Sequence, residues 1–341
     1  MISLFKYNLS SNSLTLLRGN NTLFQMEDER YTTMINVFNK YKKTEKNIAF
    51  IECDSLILKC LEHINTTKFA QSYDKVILWA SELYWDSCDN ENDINKILDD
   101  NVHIIFNFFR KDSPFKLKTK SYCSIGSFGD ITQMYLNKYN FEINLNTKYN
   151  LICKFGRPNS HRTEVYNKLK NLPNFTYSIN NFEAYDGEAT ELIKKTFESE
   201  KHLKGDFKSY HLPNEDFESF AELITETRLS QFKESNRLIS ATEKTLKGFM
   251  FKRPNITFVQ PEVYSYLESF GFKFPNILGM DSKTKQLEIC KDITLLSKVQ
   301  CKDITLQNKD VYESNFNTLI DFLKYHRTKF DEIVKEIIYD N

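Results

Sequence analysis

The sequence predicts an α/β protein with two doubly wound, Rossmann-like domains. In the first half of the chain, short apolar runs alternate with helical patterns in the repeat strand, polar turn, helix, strand. A polar stretch, NLNTKYN, then reads as a linker to a second region of the same kind. In that region, the segment from Phe217 to Phe272 reads as strand, polar loop, helix, strand, helix. This alternation is typical of parallel sheets covered by helices.

Composition excludes several classes of protein. The 341 residues are 40% hydrophobic and 14% aromatic, with 46 basic and 46 acidic residues, so we expect packed cores and no global attraction to polyanions. No apolar run approaches the roughly 18 residues of a membrane span. The N-terminus lacks a signal-peptide pattern. We therefore expect a cytoplasmic protein without a membrane span.

The cysteines and histidines give no metal-site pattern. The seven Cys are scattered without a C-x-x-C pair, and the six His form no H-E-x-x-H motif. An odd number of dispersed Cys indicates reduced, mostly buried thiols and not disulfides. We expect neither a metal nor another cofactor.

The first half opens with an edge hairpin and continues with buried strands and helices. The expected strands are Ile2–Tyr7, Leu14–Leu17, Asn47–Ile51, Lys75–Ala80 and Val102–Phe109. Helices are expected in NTLFQMEDERYTTMINVFNKY and SLILKCLEHI, and over Asp93–Leu98 and Gln133–Tyr139. A basic loop, Arg110–Lys120, carries five cations and one acid. It fits either a phosphate-rich acceptor or an ordinary solvated surface loop.

The second half has four expected strands, two of which are followed by informative turns. The strands are Tyr149–Phe155, Phe175–Ile179, a strand ending at Glu226 and Thr227, and Ile256–Val259. Helices are expected over Ala189–Ser199, between Thr242 and Pro254, from Val263 to Gly271, and along the C-terminus from Phe316 to Ile337. The C-terminal helix either crosses back onto the first domain or serves core packing alone.

The turn after the first of these strands is rich in arginine. It reads FGRPNSHRTEV, in which Gly156 allows a tight turn and Ser160 is placed to cap a helix. Arg157 and Arg162 lie at the mouth of the turn, and arginine binds phosphate in a bidentate manner. The alternative is a packing turn in which Arg162 pairs with an acid.

A second helix start follows the strand that ends at Glu226. Ser240 or Thr242 is placed to cap this helix, and Ser240 with Glu243 has the spacing of a capping box. Lys244 lies in the first turn, where a cation opposes the helix dipole unless an anion binds there. The alternative is a capping box next to a solvated lysine.

The segment TEKTLKGFMFKRPNITFV resembles the donor site of GT-B glycosyltransferases of the fucosyltransferase and exostosin kind. It is also similar, with the GRPNSHR turn, to phage and virus glycosyltransferases. The resemblance implies that Glu243 reaches the nucleotide ribose and Lys244 the diphosphate. It further implies that Arg157 or Arg162 neutralises the leaving diphosphate, and Glu226 is counted with the donor-binding residues.

The resemblance also implies an architecture and a donor. Two Rossmann-like domains would face each other across a cleft, with an acceptor-side domain at 1–147, a nucleotide-sugar domain at 148–310 and a C-terminal helix at 311–341. The donor would be a UDP- or GDP-linked sugar. No Asp-x-Asp occurs in the chain, which agrees with metal-independent transfer. The families nearest in motif invert the anomeric carbon.

Transfer needs a base that deprotonates the acceptor hydroxyl. In open α/β sheets, ligands bind at the carboxyl ends of strands. Candidates in the first domain are Asp54, Glu82, Asp86 and Asp130, and Glu82 is favoured because it follows a clear strand and has Tyr84 and Trp85 nearby. The resemblance implies that the acceptor is either a hydroxymethylated pyrimidine in viral DNA or a glycan. The alternative function is a non-catalytic nucleotide-binding protein with a degenerate GT-B fold.

Overall fold

The structure is a computed structural model that contains two compact units. The first unit comprises Met1–Met134, Arg237–Ser240 and Leu323–Asn341, and the second comprises Tyr135–Asn236 and Ala241–Phe322. The residues that it describes are 1–8, 11–19, 22–23, 32–41, 43–53, 57–80, 91–106, 109–110, 117–119, 121–123, 126–155, 160–182, 193–195, 197–200, 211–225, 238–239, 242–259 and 261–339.

Strands and helices alternate along most of the chain, as expected for an α/β protein. The strands are β1 (Ile2–Asn8), β2 (Ser13–Gly19), β3 (Thr22–Leu23), β4 (Ile48–Glu52), β5 (Lys75–Ala80), β6 (Val102–Phe106), β7 (Phe109–Arg110), β8 (Ser121–Cys123), β9 (Tyr149–Lys154), β10 (Phe175–Phe182), β11 (Ile193–Lys195), β12 (Ser219–Thr225), β13 (Leu238–Ile239) and β14 (Asn255–Phe258). The helices are α1 (Thr32–Tyr41), α2 (Ile57–Thr66), α3 (Glu91–Ile97), α4 (Gly126–Lys138), α5 (Ser160–Leu169), α6 (Asn214–Phe217), α7 (Glu243–Met250), α8 (Pro261–Ser269), α9 (Gln286–Leu295), α10 (Lys298–Gln307) and α11 (Lys309–Tyr339).

The first unit is built on a mixed sheet with the strand order β3-β2-β1-β4-β5-β6-β8. The predicted hairpin is confirmed, because β1 and β2 pair antiparallel. From β1 to β8 the neighbouring strands are parallel and follow one another in chain order, without a reversal among the described strands. In the segment expected to be helical from Asn21 onward, Thr22–Leu23 instead pairs with the edge of the sheet as β3, and Thr32–Tyr41 forms α1.

One face of this sheet is covered by the C-terminal part of α11. The Phe330 ring lies 5.6 Å from the Trp79 ring and 6.3 Å from the Phe50 ring, measured between centroids. Ile333, Val334 and Ile337 belong to the same core cluster. The predicted apolar stripe of this helix is therefore confirmed, and its residues from Leu323 onward belong to the first unit.

The second unit contains a sheet with the order β11-β10-β9-β12-β14, in which β10, β9, β12 and β14 are parallel. Side chains of β9 and β12 alternate between two faces. One face packs Leu151, Cys153 and Leu223 against α5 and α9. The other face carries Glu222, and α7 packs on it. The α/β class predicted from the sequence is thus confirmed.

The expected helix over Ala189–Ser199 is wrong. The described part of this segment contains β11, which pairs antiparallel with β10, and a short 3-10 turn at Glu198–Glu200. Pairing with an open sheet edge outweighs a weak local helical preference. The sequence analysis also assigned no element to the segment that forms α9.

Gly248 shows how closely α7 approaches the sheet. A Cβ atom built on Gly248 would lie 2.2 Å from Asn255 Nδ2 and 2.6 Å from Ile224 Cδ1. These are distances that carbon atoms do not adopt without movement of the neighbours. The absence of a side chain at this position therefore sets the spacing between α7 and the strands β12 and β14.

We predict that Gly248→Ala destabilises the protein by about 1–3 kcal/mol, because the added methyl group overpacks the interface. Helix propensity alone predicts the opposite sign, a gain of about 1 kcal/mol. Urea unfolding followed by far-UV circular dichroism measures the change. Ser265→Ala, at an exposed position of α8, is the control and should be neutral or slightly stabilising. A stabilising Gly248→Ala would contradict the close packing of α7.

Candidate functional site

The strand order of the second unit reverses between β9 and β12. The chain leaves β9 for β10 on one side and, after β12, reaches β14 on the other side. In open α/β sheets such a reversal separates the loops at the carboxyl ends and forms the usual ligand-binding crevice. Helices α5 and α7 follow β9 and β12 in the chain and pack on the sheet. Their N-termini therefore lie at this same edge.

Arg162 connects α5 to the end of β12 at this edge. Its Nε and Nη2 atoms donate hydrogen bonds to the Thr225 carbonyl oxygen at 3.2 and 2.6 Å. The side chain is only 1% exposed. Arg162 thus uses two donors on the main chain at the end of β12.

Three residues around this contact carry buried polar atoms without a hydrogen-bond partner among the described residues. They are both ring nitrogens of His161, the Thr163 hydroxyl and the Thr225 hydroxyl. Thr225 is 1% exposed, and the thiol of Cys153 lies beside its hydroxyl. Buried polar groups in proteins are nearly always hydrogen-bonded. The edge between β9 and β12 therefore has unused hydrogen-bonding capacity.

His161 is uncharged at neutral pH. Burial lowers the pKa of its imidazole to about 4, and the nearby Arg162 acts in the same direction, against the weaker opposite effect of Glu164. A neutral imidazole offers one N–H donor and one nitrogen acceptor. His161 is part of the GRPNSHR turn, but no sequence pattern predicted a role for it.

The N-cap residue of α7 is one of the two residues that the sequence predicted for this position. Thr242 is the N-cap residue, and its hydroxyl accepts a hydrogen bond from the Lys244 N–H at 3.2 Å. The proposed capping box of Ser240 and Glu243 is wrong, because Glu243 is the first helical residue and so does not reach the N3 position. Lys244 is partly buried in the first turn, and the Glu243 side chain lies outside the described part.

A buried ionic cluster fixes α7 on the sheet. Lys247 of α7 binds Glu222 of β12 at 2.6 Å and lies 3.7 Å from Asp216 of α6. Lys154, the last residue of β9, binds Asp216 at 2.7 Å. Arg253, just after α7, binds Glu222 at 2.9 Å. The cluster thus anchors the C-terminal half of α7 to β12 and α6. The signal in the sequence was Glu222 within the apolar run AELIT.

The cations of this cluster stabilise its carboxylates. Burial raises the pKa of Asp216, but Lys154, Lys247 and Arg253 outweigh it, so the pKa lies below its ordinary value. Burial lowers the pKa of Lys247, but Asp216 and Glu222 outweigh it and raise the value. Lys154 differs, because burial dominates and lowers its pKa despite Asp216 and Glu200. The Asp216 carboxylate and the Lys247 ammonium group are therefore both favoured in their charged forms.

Several sequence-predicted site residues lie outside the described residues. They are the candidate bases Asp54, Glu82 and Asp86, the donor-site residues Arg157 and Glu226, and most of the basic loop 110–120. The strands that precede Asp54 and Glu82 are described, and β4 and β5 are parallel neighbours with Glu52 paired to Trp79. These two strands therefore end at the same edge of the first unit's sheet. Asp130 lies in α4, where it is buried 3.9 Å from Arg327 Nη2.

Comparisons with known proteins found no relative of this chain. No protein-family model matches the chain, and no curated protein or solved structure does so either. None of the helices in the described ranges is both long and apolar enough to cross a bilayer. Within the same ranges, no group of three or more His, Cys, Asp or Glu side chains is arranged to hold a metal ion.

We predict that Asp216→Asn destabilises the protein by about 3–5 kcal/mol at pH 7, because it leaves Lys154 and Lys247 buried with too little negative charge. The pKa of Asp216 is lowered in the folded state. Its contribution is therefore complete above the unfolded-state pKa of about 4 and is lost as the pH falls through the folded value. The difference between wild type and variant should shrink below about pH 4.

Urea unfolding followed by circular dichroism at pH 7 and at pH 3 to 4 measures this difference. The control is Glu288→Gln, which removes an exposed partner of Lys285 at 3.8 Å and should change stability by about 0.5 kcal/mol or less. A loss that is equal in both variants, or that does not depend on pH, would contradict the role of the buried cluster.

Proposed function

We propose that this protein is a metal-independent glycosyltransferase of the GT-B fold that transfers a sugar from a nucleotide-sugar donor to a hydroxyl group. Each α/β unit corresponds to one domain of that fold, and the second unit binds the donor. The observation that carries the proposal is the reversal of strand order between β9 and β12, with the N-termini of α5 and α7 at the same edge.

The chemistry of this edge suits a nucleotide diphosphate. Helix N-termini present N–H groups and a partial positive charge that favour phosphate. Lys244 lies in the first turn of α7, and the Arg162 guanidinium adds positive charge beneath the edge. In the proposal, Lys244 and Arg157 neutralise the departing diphosphate, Thr242 holds the helix start, and Glu243 and Glu226 bind the donor sugar or ribose. Arg162 supports the crevice from within.

The acceptor hydroxyl loses its proton to a carboxylate of the first unit. Glu82 follows β5 and Asp54 follows β4, so both come from the carboxyl edge of a parallel sheet. We assign the base role to Glu82, with Asp54 as the second candidate, and displacement inverts the anomeric carbon. The acceptor is a hydroxymethylated pyrimidine of DNA or a glycan.

Lys244→Ala should weaken the binding of UDP-glucose or GDP-mannose about tenfold to hundredfold, because a charged hydrogen bond to phosphate is lost. Isothermal titration calorimetry without added metal measures the affinity. Lys285→Ala is the matched control, since Lys285 is an exposed lysine next to the start of α9 in the same unit. Equal affinity of wild type and Lys244→Ala for both donors would contradict the assignment of the donor site to Lys244.

Glu82→Gln should keep donor affinity within about twofold and lower turnover by about 10²- to 10⁴-fold, since the amide is isosteric but cannot take up a proton. Turnover is measured as nucleotide diphosphate release with hydroxymethylated DNA and with glycans, and products are identified by mass spectrometry. Asp54→Asn is measured in parallel. Donor binding without transfer or hydrolysis under any condition would favour the non-catalytic nucleotide-binding protein.

A further inference from the structure

The unpartnered atoms beside Arg162 are the least explained polar feature of the second unit. Both ring nitrogens of His161 and the hydroxyl groups of Thr163 and Thr225 are buried and have no partner among the described residues. A buried donor or acceptor without a partner costs about 1–3 kcal/mol. Two such atoms in the imidazole of His161 indicate a site that a ligand completes.

These atoms lie at the edge to which the proposed function assigns the donor. His161 and Thr163 flank Arg162 in α5, and Arg162 donates to the carbonyl group of Thr225. His161 is the second residue of α5, so it lies in the first turn at the carboxyl edge of the sheet. The polar atoms therefore border the crevice where β9 and β12 diverge.

The character of these atoms restricts the chemical group that they bind. A phosphate offers only acceptors at neutral pH, and it is best bound by groups that present several donors or a positive charge. A neutral imidazole presents one donor and one acceptor, and each hydroxyl can act as either. This mixed pattern matches the hydroxyl groups of a sugar and the edge of a nucleobase.

We propose that the imidazole of His161 binds the uncharged nucleoside part of the donor by a hydrogen bond through a ring nitrogen, separately from the phosphate contacts of Lys244. This inference rests on the proposed function and assigns to His161 a part in nucleoside recognition. His161 contacts the donor and takes no part in proton transfer.

The charge state of His161 makes the inference testable by pH. Burial and Arg162 keep the imidazole neutral above about pH 5, and Glu164 is the acidic residue that acts against them. The diphosphate of a nucleotide sugar has no titrating proton between pH 5.5 and 8. Affinity for UDP-glucose or GDP-mannose should therefore change by less than about twofold over this range. A histidine cation that binds phosphate would strengthen binding as the pH falls through about 6.5.

The deciding experiment compares His161→Phe with wild type by calorimetry, using UDP-glucose, GDP-mannose and inorganic pyrophosphate as ligands. We expect His161→Phe to lower the affinity for the nucleotide sugar about tenfold, which corresponds to about 1.4 kcal/mol of binding free energy. Affinity for pyrophosphate, measured directly or by competition, should stay within about twofold. His161→Gln should recover part of the loss, because an amide offers a donor and an acceptor. His63→Phe, a partly buried helical histidine of the first unit, is the matched control.

A spectroscopic readout separates direct contact from a structural effect. The chain has six His, so ¹⁵N-histidine spectra are simple, and the signal absent from His161→Phe identifies the residue. Adding the nucleotide sugar should shift one ring nitrogen of His161, whereas adding pyrophosphate should not.

The outcomes distinguish failure of the proposed function from failure of the inference on His161. If wild type binds neither nucleotide sugar nor pyrophosphate, the proposed function fails and this inference fails with it. If wild type binds the nucleotide sugar, three results would overturn the inference alone. These are an unchanged affinity in His161→Phe, a parallel loss for pyrophosphate, or ring nitrogens that do not respond to the donor.

Discussion

Two hydrogen bonds from one guanidinium group hold the carboxyl edge of the second unit's sheet. The ladder between β9 and β12 ends near Thr225, and a carbonyl group left there without a partner would cost about 1–3 kcal/mol. Arg162 satisfies this carbonyl from α5 and is itself enclosed. The same contact fixes the first turn of α5 relative to the end of β12. The unpartnered atoms of His161, Thr163 and Thr225 are positioned by it.

The buried ionic cluster gives α7 a comparable constraint from the other face. Replacing buried ion pairs by apolar side chains is often neutral or stabilising, so such a cluster is weak evidence for stability. Its geometry is more informative. Lys247 lies in the last turn of α7 and Arg253 lies just after the helix, and both contact Glu222. Gly248 allows the helix to lie directly on the strands. Sliding or rotation of α7 would break these contacts, which fix its C-terminal half on the sheet.

Local patterns predicted the strands well and the long-range features poorly. The run KVILWA has the expected bounds as β5, and Thr242 caps α7 as one of two candidates, because such signals depend on a few neighbouring residues. The antiparallel pairing of β11 and the partners of Arg162 depend on contacts across many residues, which no local period encodes. The position of Glu222 in an apolar strand indicates a buried charge. Its partners Lys247 and Arg253 could not be predicted from the sequence, because the fold brings them together.

The proposed donor has charged and neutral parts, and the second unit contains polar groups of both kinds. Arg162 donates to a carbonyl group, and the cluster cations contact carboxylate groups. In the proposed donor site, the helix N-termini and Lys244 bind the diphosphate. His161, made neutral by burial and by Arg162, adds hydrogen bonds without charge. The nucleotide sugar of the proposed function has this same division between a diphosphate and uncharged hydroxyl and base groups, and inorganic phosphate does not.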